Sequence, residues 1–106
     1  MSRPLRCYLR SHRIRAGLSQ REVARLLGHK RATGLSRFEQ AARLPSLEAA
    51  FMLERIFDVP FAELFPEFGS RIDALICERV TVLLEEATLT PVARAHLHTL
   101  RQRSQP

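Results

Sequence analysis

Residues 17–28 of this chain read GLSQREVARLLG, and this stretch decides the fold. Ser19 and Glu22 have the Ser-x-x-Glu spacing of a capping box, in which a hydroxyl and a carboxylate satisfy free backbone N–H groups at the start of a helix. Glycine readily adopts the left-handed conformation that ends a helix, so Gly17 is expected to end one helix and Gly28 the next. The pattern predicts a short helix between them, with an apolar face made of Val23, Ala24, Leu26 and Leu27.

The helix before this stretch is predicted to begin near Pro4, because proline suits the first turn of a helix. It continues to Gly17, with Leu5, Leu9 and Ala16 on one face. Apolar residues recur at intervals of three and four throughout the chain, and no stretch alternates as a half-buried strand would. The sequence therefore predicts an all-α fold.

The helix after Gly28 is predicted to begin between Arg31 and Gly34 and to run to about Gln40. Leu35 and Phe38 are three residues apart, so they should be buried on the same face of this third helix. Its other face offers groups that can form hydrogen bonds, namely Thr33, Ser36, Arg37 and Gln40.

Two more short helices should follow. Ser46 is a suitable N-cap for the fourth helix, and Pro60 suits the first turn of the fifth, over residues 61–65. Phe61, Leu64 and Phe65 are expected to pack inward. The predicted apolar stripe of the fourth helix consists of Leu47, Ala50, Phe51, Leu53, Glu54 and Phe57.

The segment 66–70 contains Pro66 and Gly69 and is the best candidate boundary in the chain. It predicts one domain over residues 1–68 and a C-terminal helical extension over residues 69–106. Within the extension, one helix is predicted over residues 71–87 and a second from the Thr90-Pro91 cap to about Gln102.

The charge is distributed very unevenly along the chain. Residues 1–45 hold eleven Lys or Arg residues against two acidic ones, whereas residues 46–106 hold six against nine. A strongly basic half is typical of a surface that meets a polyanion, and arginine is suited to bidentate contacts with phosphates and guanine edges. The charge therefore favours nucleic acid as a partner.

Other classes of protein find little support in the sequence. Cys7 and Cys77 lack the paired spacing of a zinc site or a disulfide framework. His96 and His98 would point in different directions on a helix and so make a poor metal pair. We therefore expect no metal and no cofactor. A Gly-rich phosphate loop, a carboxylate cluster and a Cys/His catalytic arrangement are all absent from the sequence, so we expect no enzymatic activity. Without a signal peptide or a long apolar run, the chain should be cytoplasmic, with no membrane partner.

Five ordered segments resemble the Xre family, the phage repressor and Cro-like helix-turn-helix proteins, over roughly residues 9–66. The segments are GLSQ at 17–20, Ala24 with Gly28, LSRFE at 35–39, RLPSLE at 43–48, and VP at 59–60 leading to ELF at 63–65. The resemblance implies a five-helix repressor-like helix-turn-helix domain, here followed by a C-terminal two-helix extension. The chain departs from the family pattern in having six residues between Gly28 and Leu35 instead of five, and Ala41 where a glycine usually ends the third helix.

The resemblance also implies a set of functional residues. Arg13 and Glu39 match a family ion pair that ties the first helix to the third. The positions that match contacts to base edges are Ala32, Thr33, Ser36 and Arg37. The residues expected to contact DNA phosphates are Gln20, Arg21, Lys30, Arg31, Gln40 and Arg43.

The first helix of the extension has more apolar residues than a lid on a finished domain requires. A two-fold homodimer would use this surface and place two third helices on half-sites about 34 Å apart. The alternative is that the helix packs back on its own domain. The residues expected at the dimer interface are Ile72, Leu75, Ile76, Val80 and Leu83.

The sequence therefore predicts sequence-specific binding of double-stranded DNA by a dimeric transcriptional regulator, expected to be a repressor. A protein-binding module remains an alternative, such as an antitoxin-like adaptor whose C-terminal helices hold a partner protein.

Overall fold

The computed structural model describes residues 7–104. All regular structure in that range is α-helical, as predicted. The helices are α1 (Leu9–Arg15), α2 (Gln20–Leu26), α3 (Thr33–Glu39), α4 (Leu47–Phe57), α5 (Phe61–Leu64), α6 (Pro66–Leu83) and α7 (Pro91–Ser104). The chain divides into two compact units, and the division falls between Phe68 and Gly69.

The first unit is built from α1 to α5 around one apolar core. Leu9, Leu35 and Leu53 come from three different helices and are completely buried. Burying one such side chain stabilises the fold by about 1.5–3 kcal/mol. The cluster of buried residues comprises Leu9, Val23, Leu27, Leu35, Phe38, Ala49, Leu53, Leu64 and Phe65.

The first described helix begins later than predicted. Tyr8 precedes α1 and is not helical, and its backbone N–H donates to the carbonyl of Leu64 at 2.8 Å. That hydrogen bond ties the start of α1 to the end of α5, so the helix begins at Leu9. The predicted start near Pro4, together with Leu5, lies outside the described residues.

The capping box that begins α2 is present as predicted. The Ser19 hydroxyl accepts from the Glu22 N–H at 3.0 Å, and the Glu22 carboxylate accepts from the Ser19 N–H at 2.8 Å. Val23, Ala24 and Leu27 are buried, but the prediction that Leu26 also packs inward is wrong because its side chain is 56% exposed. At about 100° per residue, Leu26 lies outside the arc of the helix that Val23, Ala24 and Leu27 share.

Helices α1, α2 and α3 all end in the same way, with a left-handed residue and the paired hydrogen bonds of a Schellman motif. Gly17 has φ +73° and Gly28 has φ +82°, and Ala41 takes the same role after α3 with φ +55°. The Ala41 N–H donates to the Phe38 carbonyl at 3.0 Å, and the Ala42 N–H donates to the Arg37 carbonyl at 2.9 Å. Ala41 therefore adopts the left-handed conformation at the position where the resemblance predicts a glycine.

Ala41→Gly is expected to raise the free energy of unfolding by about 1 kcal/mol, because a Cβ is disfavoured in the left-handed region. Urea unfolding of the full chain measures the change. Ala42→Gly is the matched control, because Ala42 does not have positive φ and glycine there relieves no backbone strain. It should destabilise the protein slightly, since glycine increases the conformational entropy of the unfolded chain. Equal effects of the two substitutions would contradict the assignment of strain to Ala41.

The buried face of α4 differs from the predicted stripe. Leu47 is 77% exposed and Phe51 is 53% exposed, so both lie on the solvent side. Leu53 is completely buried as predicted, and the inward face also contains Ala49, which the stripe omitted, with Met52 partly buried against the same core. The Ser46 cap is present as predicted, since its hydroxyl accepts from the Ala49 N–H at 3.2 Å. The cap fixed the start of α4 correctly, but the predicted stripe was right for Leu53 and Phe57 and wrong for Leu47 and Phe51.

The turn from α4 into α5 depends on a carboxylate rather than on a proline in the first turn. Asp58 ends α4 in the left-handed conformation, and Pro60 is extended and directly precedes α5. Glu54 was predicted to lie on the apolar stripe, but its carboxylate accepts from the Phe61 N–H at 2.6 Å and so caps α5. The ring of Phe61 stacks on Phe65 with the centroids 4.8 Å apart.

The segment 66–70 is helical, so α6 begins earlier than the predicted start at residue 71, with Pro66 in its first position, where its missing N–H is tolerated. At its other end α6 finishes at Leu83, earlier than predicted. In the second unit, Arg94 donates to the carbonyls of Leu84 and Glu86 at 2.8 and 2.9 Å and so holds the connection to α7. The predicted Thr90 cap is present, with its hydroxyl accepting from the Ala93 N–H at 3.1 Å.

Candidate nucleic-acid interface

Helix α3 has one face in the core and one face in solvent. Leu35 is completely buried and Phe38 is 5% exposed, as predicted. Thr33 lies two residues before Leu35, Arg37 lies one residue before Phe38, and both are exposed. The helix begins at Thr33, within the predicted interval, so the longer connection from Gly28 forms a loop over residues 29–32. Two apolar side chains therefore anchor α3 and leave its polar face free.

Of the four residues predicted to contact base edges, Thr33 and Arg37 are exposed, whereas Ala32 and Ser36 are half-buried. The hydroxyl of Ser36 is 3.4 Å from the Gln40 amide nitrogen, which donates to it. All four lie at or within α3, on the part of the chain that the two anchors leave outside the core. The fold therefore brings this predicted set together on one helix.

A buried network fixes α3 against α1. Arg13 Nε donates to Glu39 Oε2 at 2.5 Å and Arg13 Nη2 donates to Glu39 Oε1 at 3.3 Å. Arg13 Nη1 also donates to the carbonyl of Leu18 at 2.9 Å. The side chains of Arg13 and Glu39 are only 11% and 3% exposed. Two parallel hydrogen bonds between ions fix orientation as well as distance, so this pair sets the position of α3.

The same carboxylate also positions Gln20 at the start of α2. The Gln20 amide nitrogen donates to Glu39 Oε1 at 3.0 Å. An amide nitrogen has two N–H groups, so the second can still donate to an acceptor outside the protein. Glu39 therefore connects the first turn of α2 to α1 and α3, a role that the sequence did not reveal for Gln20.

The predicted phosphate-binding cations all point into solvent. Arg21, Lys30, Arg31 and Arg43 are exposed. Within residues 7–104, none of them forms an ion pair or a side-chain hydrogen bond. Unpaired cations on a surface create a positive potential that attracts polyanions.

Three residues that were not predicted line depressions beside these groups. Arg10 shares one depression with Gln20, Ser36, Glu39 and Gln40. The sequence contained a signal for Arg10, because it lies one helical turn before Arg13 and is therefore its neighbour on the surface of α1.

The other two, Arg25 and His29, share a second depression with Arg21, Gly28 and Lys30. Arg25 likewise lies one turn after Arg21 on α2. His29 follows the glycine that ends α2, so its position depends on the conformation of the turn.

The two cysteines are free thiols. Cys7 Sγ donates to the carbonyl of Phe38 at 3.5 Å, and burial raises the pKa of this thiol above its ordinary value. The part of the chain that the structure describes contains no cluster of His, Cys, Asp and Glu that could hold a metal ion. None of its helices has the length and apolar character needed to span a bilayer.

The predicted dimerisation residues differ in their accessibility. Ile72 is 41% exposed and Leu83 is 37% exposed, while Leu75 and Ile76 are half-buried. Val80 is only 5% exposed in a single chain, so its side chain is not available to a second copy. Part of the apolar stripe on α6 is therefore covered within the chain itself.

A short helix anchored by apolar residues, braced by a capped neighbour and surrounded by unpaired cations defines a helix-turn-helix protein of the DNA-binding kind. The helix-turn-helix family model matches residues 9–64, which is more than half of the chain. The chain belongs to the Xre-like helix-turn-helix family of DNA-binding regulators, a family that is generally non-enzymatic. Searches of curated proteins and of solved structures gave no significant match.

Proposed function

We propose that this protein is a dimeric, sequence-specific repressor of transcription that reads the DNA major groove with α3. The observation that supports this most strongly is the orientation of α3. Leu35 and Phe38 fix the helix in the core, and Arg37 projects from its opposite side. The major groove is about 12 Å wide and admits one α-helix presented in this way.

The polar groups on and around α3 would divide into two kinds of contact. Ala32, Thr33, Ser36 and Arg37 would meet base edges, and the Arg37 guanidinium can pair with O6 and N7 of guanine. Gln20, Arg21, Lys30, Arg31, Gln40 and Arg43 would meet phosphates. Phosphate contacts position the protein without reading sequence, so discrimination would come from the first group.

The proposed dimer would form through α6. Ile72 and Leu83 are exposed and lie on one side of that helix, and Val82, which the predicted stripe omitted, is 62% exposed beside them. A second copy would cover this surface and present two α3 helices to a two-fold symmetric operator. Repression would follow from occupation of that operator.

Ile72→Asp is expected to convert the dimer to a monomer in sedimentation experiments, because it places a charge in an apolar interface. Binding to a duplex with two half-sites should weaken by roughly 100-fold, since the second contact is then no longer intramolecular. Val92→Asp is the matched control, because Val92 is 82% exposed on α7 and lies outside the proposed interface. Equal sedimentation of wild type and Ile72→Asp would overturn the assignment of the interface.

The proposed function is tested by selecting bound sequences from a random duplex pool and then measuring affinity across salt concentrations. We expect enrichment of one two-fold symmetric sequence, and an affinity that falls steeply with salt because phosphate contacts release counterions. A protein-binding adaptor would enrich no sequence and would bind duplexes only weakly at low salt. That result would contradict DNA reading and favour the adaptor.

A further inference from the structure

The turn between α2 and α3 forms a depression lined by Arg21, Arg25, Gly28, His29 and Lys30, which we call the turn pocket. Arg21 and Arg25 lie one helical turn apart on α2, and both are exposed. The left-handed conformation of Gly28 reverses the chain, and the His29 N–H then donates to the Ala24 carbonyl at 2.9 Å. The turn therefore brings His29 and Lys30 back beside the two arginines.

The pocket also involves the start of α3. A Cβ placed on Gly34 would lie 3.7 Å from Nδ1 of His29, so the imidazole packs against the first turn of that helix. The pocket thus consists of groups from α2 and the turn, with one of its side chains resting on α3. All three elements belong to the matched helix-turn-helix region.

The charge of the pocket is only partly compensated. None of its lining residues is acidic, and within residues 7–104 neither arginine nor Lys30 forms an ion pair or a side-chain hydrogen bond. The nearest carboxylate along α2 is Glu22, which is engaged by Ser19 in the capping box. Hydrogen bonding from Ser19, together with the charge of Arg25, lowers the pKa of Glu22. Three cations in one concavity repel each other, and a bound anion would relieve that repulsion.

We propose that the turn pocket binds a backbone phosphate of the DNA, outside the groove that α3 reads, with Arg25 and His29 as contacts beyond those named above. This inference rests on the proposed function. A phosphate fits because guanidinium and ammonium groups donate charge-assisted hydrogen bonds to its oxygens. The contact adds affinity and anchors the turn without contributing to sequence preference.

The test uses the full-length chain with Arg25→Ala, and alanine is a good helix former at this exposed position. Arg25→Ala should weaken binding roughly fivefold on preferred and unrelated duplexes alike, and should reduce the slope of log affinity against log salt by about one unit. Arg55→Ala is the charge-matched control, because Arg55 is exposed on α4 and lies beside Glu54 and Asp58 instead of in the basic surface. The control should keep the wild-type affinity and slope.

A second measurement separates a DNA phosphate from a free anion. Amide resonances of His29 and Lys30 are followed by NMR during titration with inorganic phosphate and then with duplex DNA. With the ionic strength held constant, shifts with duplex and none with inorganic phosphate support the proposal, whereas shifts with inorganic phosphate identify a small-anion site and overturn it, as does the absence of shifts with duplex. If wild type binds DNA but Arg25→Ala matches Arg55→Ala in affinity and slope, the turn-pocket proposal fails and the proposed function stands. If wild type shows no salt-dependent binding to any duplex, the proposed function itself fails.

Discussion

Replacing Glu39 with alanine is expected to lower the free energy of unfolding by about 3 kcal/mol, because it leaves the Arg13 guanidinium buried without its counter-ion. Arg13 is 11% exposed in the ion pair, so water compensates little for the lost partner. The substitution also releases Gln20, whose amide donates to the same carboxylate. The loss should therefore exceed that of an isolated surface pair, which is worth at most about 1 kcal/mol.

A double-mutant cycle measures this coupling. Urea unfolding is compared for wild type, Glu39→Ala, Arg13→Ala and the double variant, and the double variant should lose clearly less than the sum of the single losses. Glu48→Ala is the control, because Glu48 is exposed in the first turn of α4. If the losses from Arg13→Ala and Glu39→Ala simply add, the two residues are not coupled and the network does not hold α3 in place.

The helix boundaries that depend on local chemistry could be predicted from the sequence. Ser19 with Glu22 specifies a capping box within four residues, and Gly17 and Gly28 specify left-handed helix ends by their lack of a Cβ. The anchors of α3 followed from their spacing, since Leu35 and Phe38 lie on one face of a helix. Signals of this kind require no knowledge of the rest of the chain.

Features that depend on tertiary packing were missed. The faces of α4 could not be assigned from composition, because Leu47 and Phe51 are as apolar as the buried Leu53 on the other side. The resemblance placed a helix end at Ala41, but alanine itself does not favour the left-handed conformation, which the surrounding hydrogen bonds impose on it. Glu39 and Gln20 are far apart in sequence, so their hydrogen bond becomes visible only once the helices are placed.

Arg37→Ala is expected to cost about 1–3 kcal/mol of binding free energy on the preferred duplex and clearly less on a duplex altered at the contacted base pair. The reason is the position of Arg37 on the exposed face of α3, next to the buried Phe38. Arg43 provides the matched comparison, because it is an exposed arginine that follows the end of α3 and would reach only the sugar-phosphate backbone. Arg43→Ala should weaken binding to all duplexes similarly and reduce the salt slope by about one unit.

The central claim, that α3 reads base edges, is tested most directly by measuring the binding of both variants to preferred, altered and unrelated duplexes at several salt concentrations. The account predicts a loss from Arg37→Ala that depends on the duplex and a loss from Arg43→Ala that does not. Equal losses from Arg37→Ala on all three duplexes would contradict a reading role for this residue and shift that role to Thr33 or Ser36.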